Sequence, residues 1–147
     1  MPMIGCGNDQ GTKEVATQGG QKIIARGTPA RWEVAWHPKA LHEKNAIEDV
    51  TERVAIAHVI EKLEVDGPTL QSPHQSAVRG EEGSGLRELR PRRGRSRWRP
   101  LYRRADGALF AILAVGPEAE IDRAGYGRAL RRAKQRLKRL EKAKEKE

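Results

Sequence analysis

Between Arg79 and Arg104 every cation is an arginine, and the run interleaves them with apolar residues: Leu89 precedes Arg90, Trp98 precedes Arg99, and Tyr102 precedes Arg103. A guanidinium fork matches two phosphate oxygens at once, which an ammonium does not. Arginines held in a row repel one another, so an anion is their natural partner. The chemistry such a row supports is phosphate binding and stabilisation of charge at a reacting phosphorus. The same row left in water is only a solvated basic face, and charge alone leaves both readings open. What would align the arginines is a set of strands, because strand side chains alternate between faces. If Leu89, Trp98 and Tyr102 face a core, then Arg90, Arg99, Leu101 and Arg103 lie opposite. Short apolar runs bounded by turn residues predict three antiparallel strands, Leu86–Arg90, Trp98–Arg103 and Ala108–Val115. A cationic loop, Pro91–Arg97, joins the first two, and Asp106-Gly107 supplies the turn between the second and third.

Upstream, Trp32–His37 alternates Trp32, Val34 and Trp36 against polar or small residues and reads as a half-buried strand ended by Pro38. Lys39–Lys44 begins a first helix. A second is expected from Ala46 to Glu64, with Ile47, Val50, Val54, Ala57, Ile60 and Leu63 as its core stripe and Asp66-Gly67-Pro68 as its stop. After Gly116-Pro117 a long helix is expected from Ile121 to near the end, with Leu130, Ala133, Leu137, Leu140 and Ala143 as its apolar line against the sheet. Residues 1–30, rich in glycine and polar residues, offer too little apolar surface to offset ordering and are expected to be a flexible leader or an upstream start-site artefact. Residues 31–147 are expected to be the folded domain.

A net charge of +9 over 147 residues, with 33% charged residues, favours a polyanionic partner. Only 4% of the chain is aromatic, so a small, mostly aliphatic core is implied. Cys6 is the single cysteine, which excludes an internal disulfide and suits a reducing cytoplasm. No run approaches the roughly 18 apolar residues a membrane span needs. No Cys/His cluster or recognisable carboxylate pair points to a metal, and no cofactor is called for.

The segment Gly85–Val115 also resembles the central β-meander of HigB-like toxins in the RelE/ParE superfamily. Leu86, Glu88, Leu89 and Arg90 match its first strand; Gly94, Arg95, Ser96, Arg99 and Tyr102 match the loop and strand that follow. The resemblance extends more weakly over Trp32–Leu140. It implies an α+β, RelE-like fold, a twisted antiparallel sheet with two N-terminal helices packed on it and a C-terminal helix. It also implies the toxin of a type II toxin-antitoxin module, a metal-independent mRNA endoribonuclease acting on the ribosome in the cytoplasm. Such an enzyme leaves a 2′,3′-cyclic phosphate and a 5′-hydroxyl. The implied partners are mRNA, the ribosome and a cognate antitoxin of helix-turn-helix type.

Carried over by position, Arg90 and Arg99 are the candidate phosphate and transition-state contacts. Tyr126 and His74 are the candidates for proton transfer, and Arg79, Arg97 and Arg103 are further RNA contacts. Tyr102 belongs to the motif, but alternation turns it toward the core. Glu118 and Glu120 stand where relatives carry lysine, and Pro100 falls inside an expected paired strand. Two other classes remain open, a non-catalytic nucleic-acid-binding module and a ParE-like gyrase inhibitor.

Overall fold

The computed structural model describes residues 31–81 and 84–145, so the expected leader over residues 1–30 lies outside the described residues. The elements run β1 (Glu33–Trp36), α1 (Pro38–Asn45), α2 (Val50–Asp66), β2 (Gln75–Ala77), β3 (Arg87–Leu89), β4 (Trp98–Asp106), β5 (Leu109–Pro117) and α3 (Arg123–Glu145). Five strands form one sheet in the order β1-β5-β4-β3-β2. The β2-β3, β3-β4 and β4-β5 neighbours are antiparallel, and β1 runs parallel to β5. The fold is the expected α+β arrangement with a C-terminal helix, but the sheet is mixed where an antiparallel one was expected, because β1 joins its edge in parallel to β5.

Local chemistry sets the element ends. Pro38 opens α1, where its missing N–H costs no helical bond. Asp49 caps α2 by accepting from the Thr51 amide at 2.9 Å. Gly67 ends α2 at φ +56, and a Cβ there would meet the Trp32 ring at 2.4 Å, so glycine serves both the turn and the packing of β1. Asp122 caps α3 from the N-terminal side, accepting from the Gly125 amide at 2.9 Å.

Apolar packing covers both faces of the sheet. On one face, Leu89, Tyr102, Phe110, Ile112 and Val115 pack with α1 and α2. On the other, Val78, Leu86, Leu101, Leu113 and Ala114 pack with Ala129 and Ala133 of α3. Leu101 is therefore core, and the expected open arginine face is largely roofed by α3. The close approach of α3 depends on Gly116, where a Cβ would lie 2.4 Å from that of Ala129.

Two bulges shape the central hairpin. Leu101 pairs with Ala114 and Tyr102 with Ile112, leaving Leu113 as an extra residue in β5. Its carbonyl accepts from Arg136 Nη1 at 2.7 Å. Ala105 is the extra residue in β4, and its carbonyl accepts from Lys144 Nζ at 3.3 Å. The residues between the strand ends are Gly107 and Ala108, with Gly107 at φ +49, so the turn lies one residue beyond the Asp106-Gly107 pair expected. Pro100 costs no rung. It pairs with Val115, whose amide points away from β4 to the Glu43 carboxylate at 3.0 Å, so the missing N–H lies on the outward side beyond the last β3–β4 partner, Leu101.

The second helix differs from the expectation in start and in face. It begins at Val50, and Ile47 is buried in the connection before it. Its buried side is Glu52, Ala55, Ile56, Val59, Ile60 and Leu63, while Val50, Val54 and Ala57 are exposed. Apolar residues occur on both sides of this helix, so spacing alone does not choose between them.

Candidate functional site

Strand alternation sends Glu88 and Arg90 to the α3 side of the sheet, and the first turn of α3 brings Tyr126 over them. Three side chains, Tyr126, Arg90 and Arg99, meet at Glu88. Tyr126 Oη donates to Glu88 Oε1 at 2.6 Å, Arg90 Nη1 donates to Oε2 at 2.9 Å, and Arg99 Nε lies 3.5 Å from Oε2. They line a cleft of about 530 Å3 together with Arg79, Arg123 and the two acidic residues Glu118 and Glu120. Four arginines thus face three glutamates across one opening.

Arg90 and Arg99 differ in how they are held. The Arg90 side chain is 36% exposed and that of Arg99 only 2%. Arg99 donates to the carbonyls of Ser96 at 2.6 Å, Trp98 at 2.9 Å and Gly94 at 3.0 Å, so the loop Gly94–Trp98 is wrapped round its guanidinium. Its Nε is buried without a hydrogen bond, the Glu88 oxygen being too distant. Burial and the neighbouring Arg90 charge hold the Arg99 pKa below its ordinary value, against the opposing pull of Glu88, Glu118 and Tyr126. A guanidinium remains protonated under such a shift. Arg99 faces away from the α2 core, as alternation expects, but its guanidinium is built into the loop, so this position is structural as well as charged.

The loop is pinned from the other face as well. Glu52 of α2, only 8% exposed, accepts from Ser96 Oγ and, at 3.0 Å, from Arg92 Nη1. Ser96 Oγ in turn accepts from the Trp98 amide at 3.1 Å. The Gly94-Arg95-Ser96 segment is thereby clamped between a buried carboxylate and a buried guanidinium, which sets the cleft wall.

Tyr126 is a hydroxyl poised to keep its proton. Burial, the hydrogen bond to Glu88 and the Glu88 charge all push its pKa above the ordinary phenol value. The arrangement can accept an anion at Arg90, Arg79 and Arg123, and it holds a carboxylate and a phenol at bonding distance for proton transfer. Among the described residues, no three His, Cys, Asp or Glu side chains are grouped as metal ligands are.

Of the residues singled out from the sequence, Arg79, Arg90, Arg99 and Tyr126 come together here. His74 does not: it lines a separate cleft with α2 on the opposite face. Arg97 lies outside as well, exposed over the Trp98 ring at 5.8 Å. Arg103 stands at the far end of α3, donating to Glu141 at 2.8 Å. Glu88, Glu52 and Arg123 were not singled out. Alternation did signal Glu88, since it shares a strand face with Arg90; nothing local signalled Glu52.

The family model described as phage derived protein Gp49-like matches residues 48–138, from the start of α2 through most of α3. No curated protein matches the chain. Among solved structures, a mutant of the E. coli toxin RelE with two arginines changed to alanine, in the free state, superposes with a TM-score of 0.50 at 18% identity. The match covers 69% of this chain and 97% of that one. At that identity the likeness establishes a shared fold. No described helix is long and apolar enough to cross a membrane.

Proposed function

The chain belongs to the phage-derived Gp49-like family, a family of RelE/HigB-type toxins, and from that premise we propose that it is the HigB-like toxin of a type II toxin-antitoxin module, an endoribonuclease that cuts mRNA without a metal. The observation that carries this reading is the convergence of Glu88, Arg90, Arg99 and Tyr126 in one cleft on a RelE-type sheet. We assign the reaction to residues 31–147.

The chemistry follows from the groups present. The RNA 2′-oxygen attacks the adjacent phosphorus, forming the 2′-O–P bond as the P–O5′ bond breaks. The 2′-hydroxyl proton passes to Glu88, and Tyr126 gives its proton to the departing 5′-oxygen. A 2′,3′-cyclic phosphate and a 5′-hydroxyl result. In-line attack places the two oxygens on opposite sides of the phosphorus, so an entering phosphate parts the Tyr126–Glu88 pair. Arg90 then turns from Glu88 to the phosphoryl oxygens, while Arg99 holds the loop and places positive charge behind them. Arg79 and Arg123 contact flanking phosphates, and exposed Arg97 extends the path. The substrate is ribosome-bound mRNA in the cytoplasm, and the inhibitory partner is an antitoxin of helix-turn-helix type.

The test is induction of the chain in a bacterial host with mapping of RNA 5′ ends, comparing Glu88→Gln, Arg90→Ala and Tyr126→Phe. New 5′-hydroxyl ends inside messages are expected from the parent and not from the variants. Absence of new ends from a folded parent overturns the nuclease reading. Growth arrest without cleavage would then point to gyrase. Glu118 and Glu120 in the cleft wall oppose phosphate binding, and they are the feature that favours a degenerate, inactive toxin if induction is harmless.

A further inference from the structure

On the sheet face opposite the Glu88 cleft, α2 and the loop after β3 enclose a second cleft of about 230 Å3, with His58, Lys62, His74, Arg92 and Arg93 on its walls. We propose that this second cleft binds a phosphate group of the RNA strand, outside the segment being cut, through Lys62, His74 and Arg93. The assignment to RNA rests on the nuclease reading; the assignment to phosphate does not.

Among the described residues no carboxylate lines this cleft, in contrast to the three in the first. Arg92 is answered by Glu52 at 3.0 Å, whereas Lys62 and Arg93 make no ion pair among the described residues. The loop that presents Arg92 and Arg93 is strained. Arg92 and Arg93 stand at φ +58 and +59, a left-handed backbone that is costly for residues with a Cβ, and two in succession persist only where the surroundings hold them. Buried Pro91 and the Glu52 bonds to Arg92 and Ser96 supply that hold. Strain of this kind gathers at binding sites, and here its effect is to place a second guanidinium beside Lys62.

The two clefts meet at one edge of the sheet. His74 accepts from the Arg90 amide through its backbone carbonyl at 2.8 Å. One backbone rung thus separates a wall of the second cleft from a wall of the first. Immediately along the chain, Ser76, Ala77 and Arg79 of the edge strand and its exit line the first cleft. A single strand crossing this edge reaches both.

The histidine makes binding proton-linked. His74 is half-buried; burial and the charges of Lys62 and Arg93 hold its pKa below the ordinary value, with Asp66 opposing them. His58 and Arg92 are the other titratable and charged groups on the cleft walls with it. An arriving phosphate adds negative charge at His74, so it raises that pKa and binds more tightly as pH falls through the histidine range.

The experiment uses the full chain with histidine-ring NMR, inorganic phosphate as the first probe and a single-stranded 2′-O-methyl oligonucleotide, which cannot be cleaved, as the second. Both probes should move the His74 signal and raise its titration midpoint. Lys62→Gln should abolish the response to phosphate and weaken the oligonucleotide about tenfold, the factor one charge-assisted contact carries. Arg93→Gly should do the same while leaving the thermal midpoint unchanged or higher, because glycine relieves the left-handed strain; a merely structural Arg93 would lower it. A His74 signal indifferent to both probes overturns the proposal, whatever the nuclease assay shows. A response to phosphate but not to the oligonucleotide assigns the site to free phosphate and overturns its role toward RNA. A response to both in a chain that cuts nothing keeps this site while the nuclease reading fails.

Discussion

Alanine at Arg99 and alanine at Arg90 should part company, although both guanidinium groups lie within ion-pair range of the Glu88 carboxylate. Removing Arg99 leaves the carbonyls of Gly94, Ser96 and Trp98 without their donor in a region where the side chain was 2% exposed. A stranded buried polar group costs about 1–3 kcal/mol, and the three are not additive because one cavity can admit water. Breaking one partner out of a buried charge pair costs about 3–5 kcal/mol, and the same range is expected here. Against a total stability of about 5–15 kcal/mol this is a large fraction. Divided by a urea slope of about 1–3 kcal/mol per molar, it moves the unfolding midpoint down by about 2 M. Arg90→Ala removes a 36% exposed side chain with one bond to Glu88, which keeps Tyr126 and Arg99, so its cost is about 0–1 kcal/mol. Its effect belongs to the reaction, a loss of about 10²–10³ in rate if it stabilises the phosphorane. Urea unfolding followed by tryptophan fluorescence, beside a cleavage assay on the same samples, reads both quantities. Arg99→Lys should recover part of the midpoint, since an ammonium has donors but not the planar fork that spans three carbonyls. If Arg99→Ala unfolds at the parent's urea concentration, the loop is not held by this guanidinium and the assignment of Arg99 to loop support is wrong.

Further outcomes follow from other contacts. Burial pulls the Glu43 pKa up, but hydrogen bonds from Arg136 and the Val115 amide and the charges of Arg132 and Arg136 outweigh it and hold it below 4.5. The stabilisation is therefore complete above that value and lost as pH falls through the lowered one; Glu43→Gln should flatten this acid limb in a pH series of thermal midpoints. Gly116→Ala forces its Cβ against that of Ala129 and should cost about 1–3 kcal/mol by denaturant unfolding, with Ala129→Gly in the same chain restoring most of it. Affinity for a single-stranded oligonucleotide should fall with salt at a log-log slope of about 0.7 per phosphate neutralised, and Arg79→Gln should reduce that slope by about one such unit. A slope unchanged by Arg79→Gln would remove that residue from the phosphate path.

The meander was legible because two-residue periodicity is strict. Leu89, Trp98 and Tyr102 on one side and Glu88, Arg90 and Arg99 on the other are read directly from alternation, and the bulge at Leu113 displaces only the residues after it. The α2 face was not legible, since Val50 and Val54 compete with Ile56 and Val59 at equivalent helical spacing and both sides are apolar. Tertiary contact decides, through Glu52 reaching the loop 40 and 44 residues away at Arg92 and Ser96. The same limit governs the site. Arg90 and Glu88 are two residues apart and could be paired on paper; Tyr126 joins Glu88 across 38 residues, because α3 returns over the sheet where Gly116 and Ala129 let it approach. Glu43, with partners 72 to 93 residues distant, ties α1 to β5 and α3 in the same way. Three carboxylates in a chain of net positive charge therefore organise much of what the arginines do: each collects cationic, N–H or O–H donors from elements far apart in sequence. The basic composition announces an anionic ligand, but it is the placement of Glu43, Glu52 and Glu88 that decides which arginines are committed to structure and which, like Arg90, keep a face toward solvent.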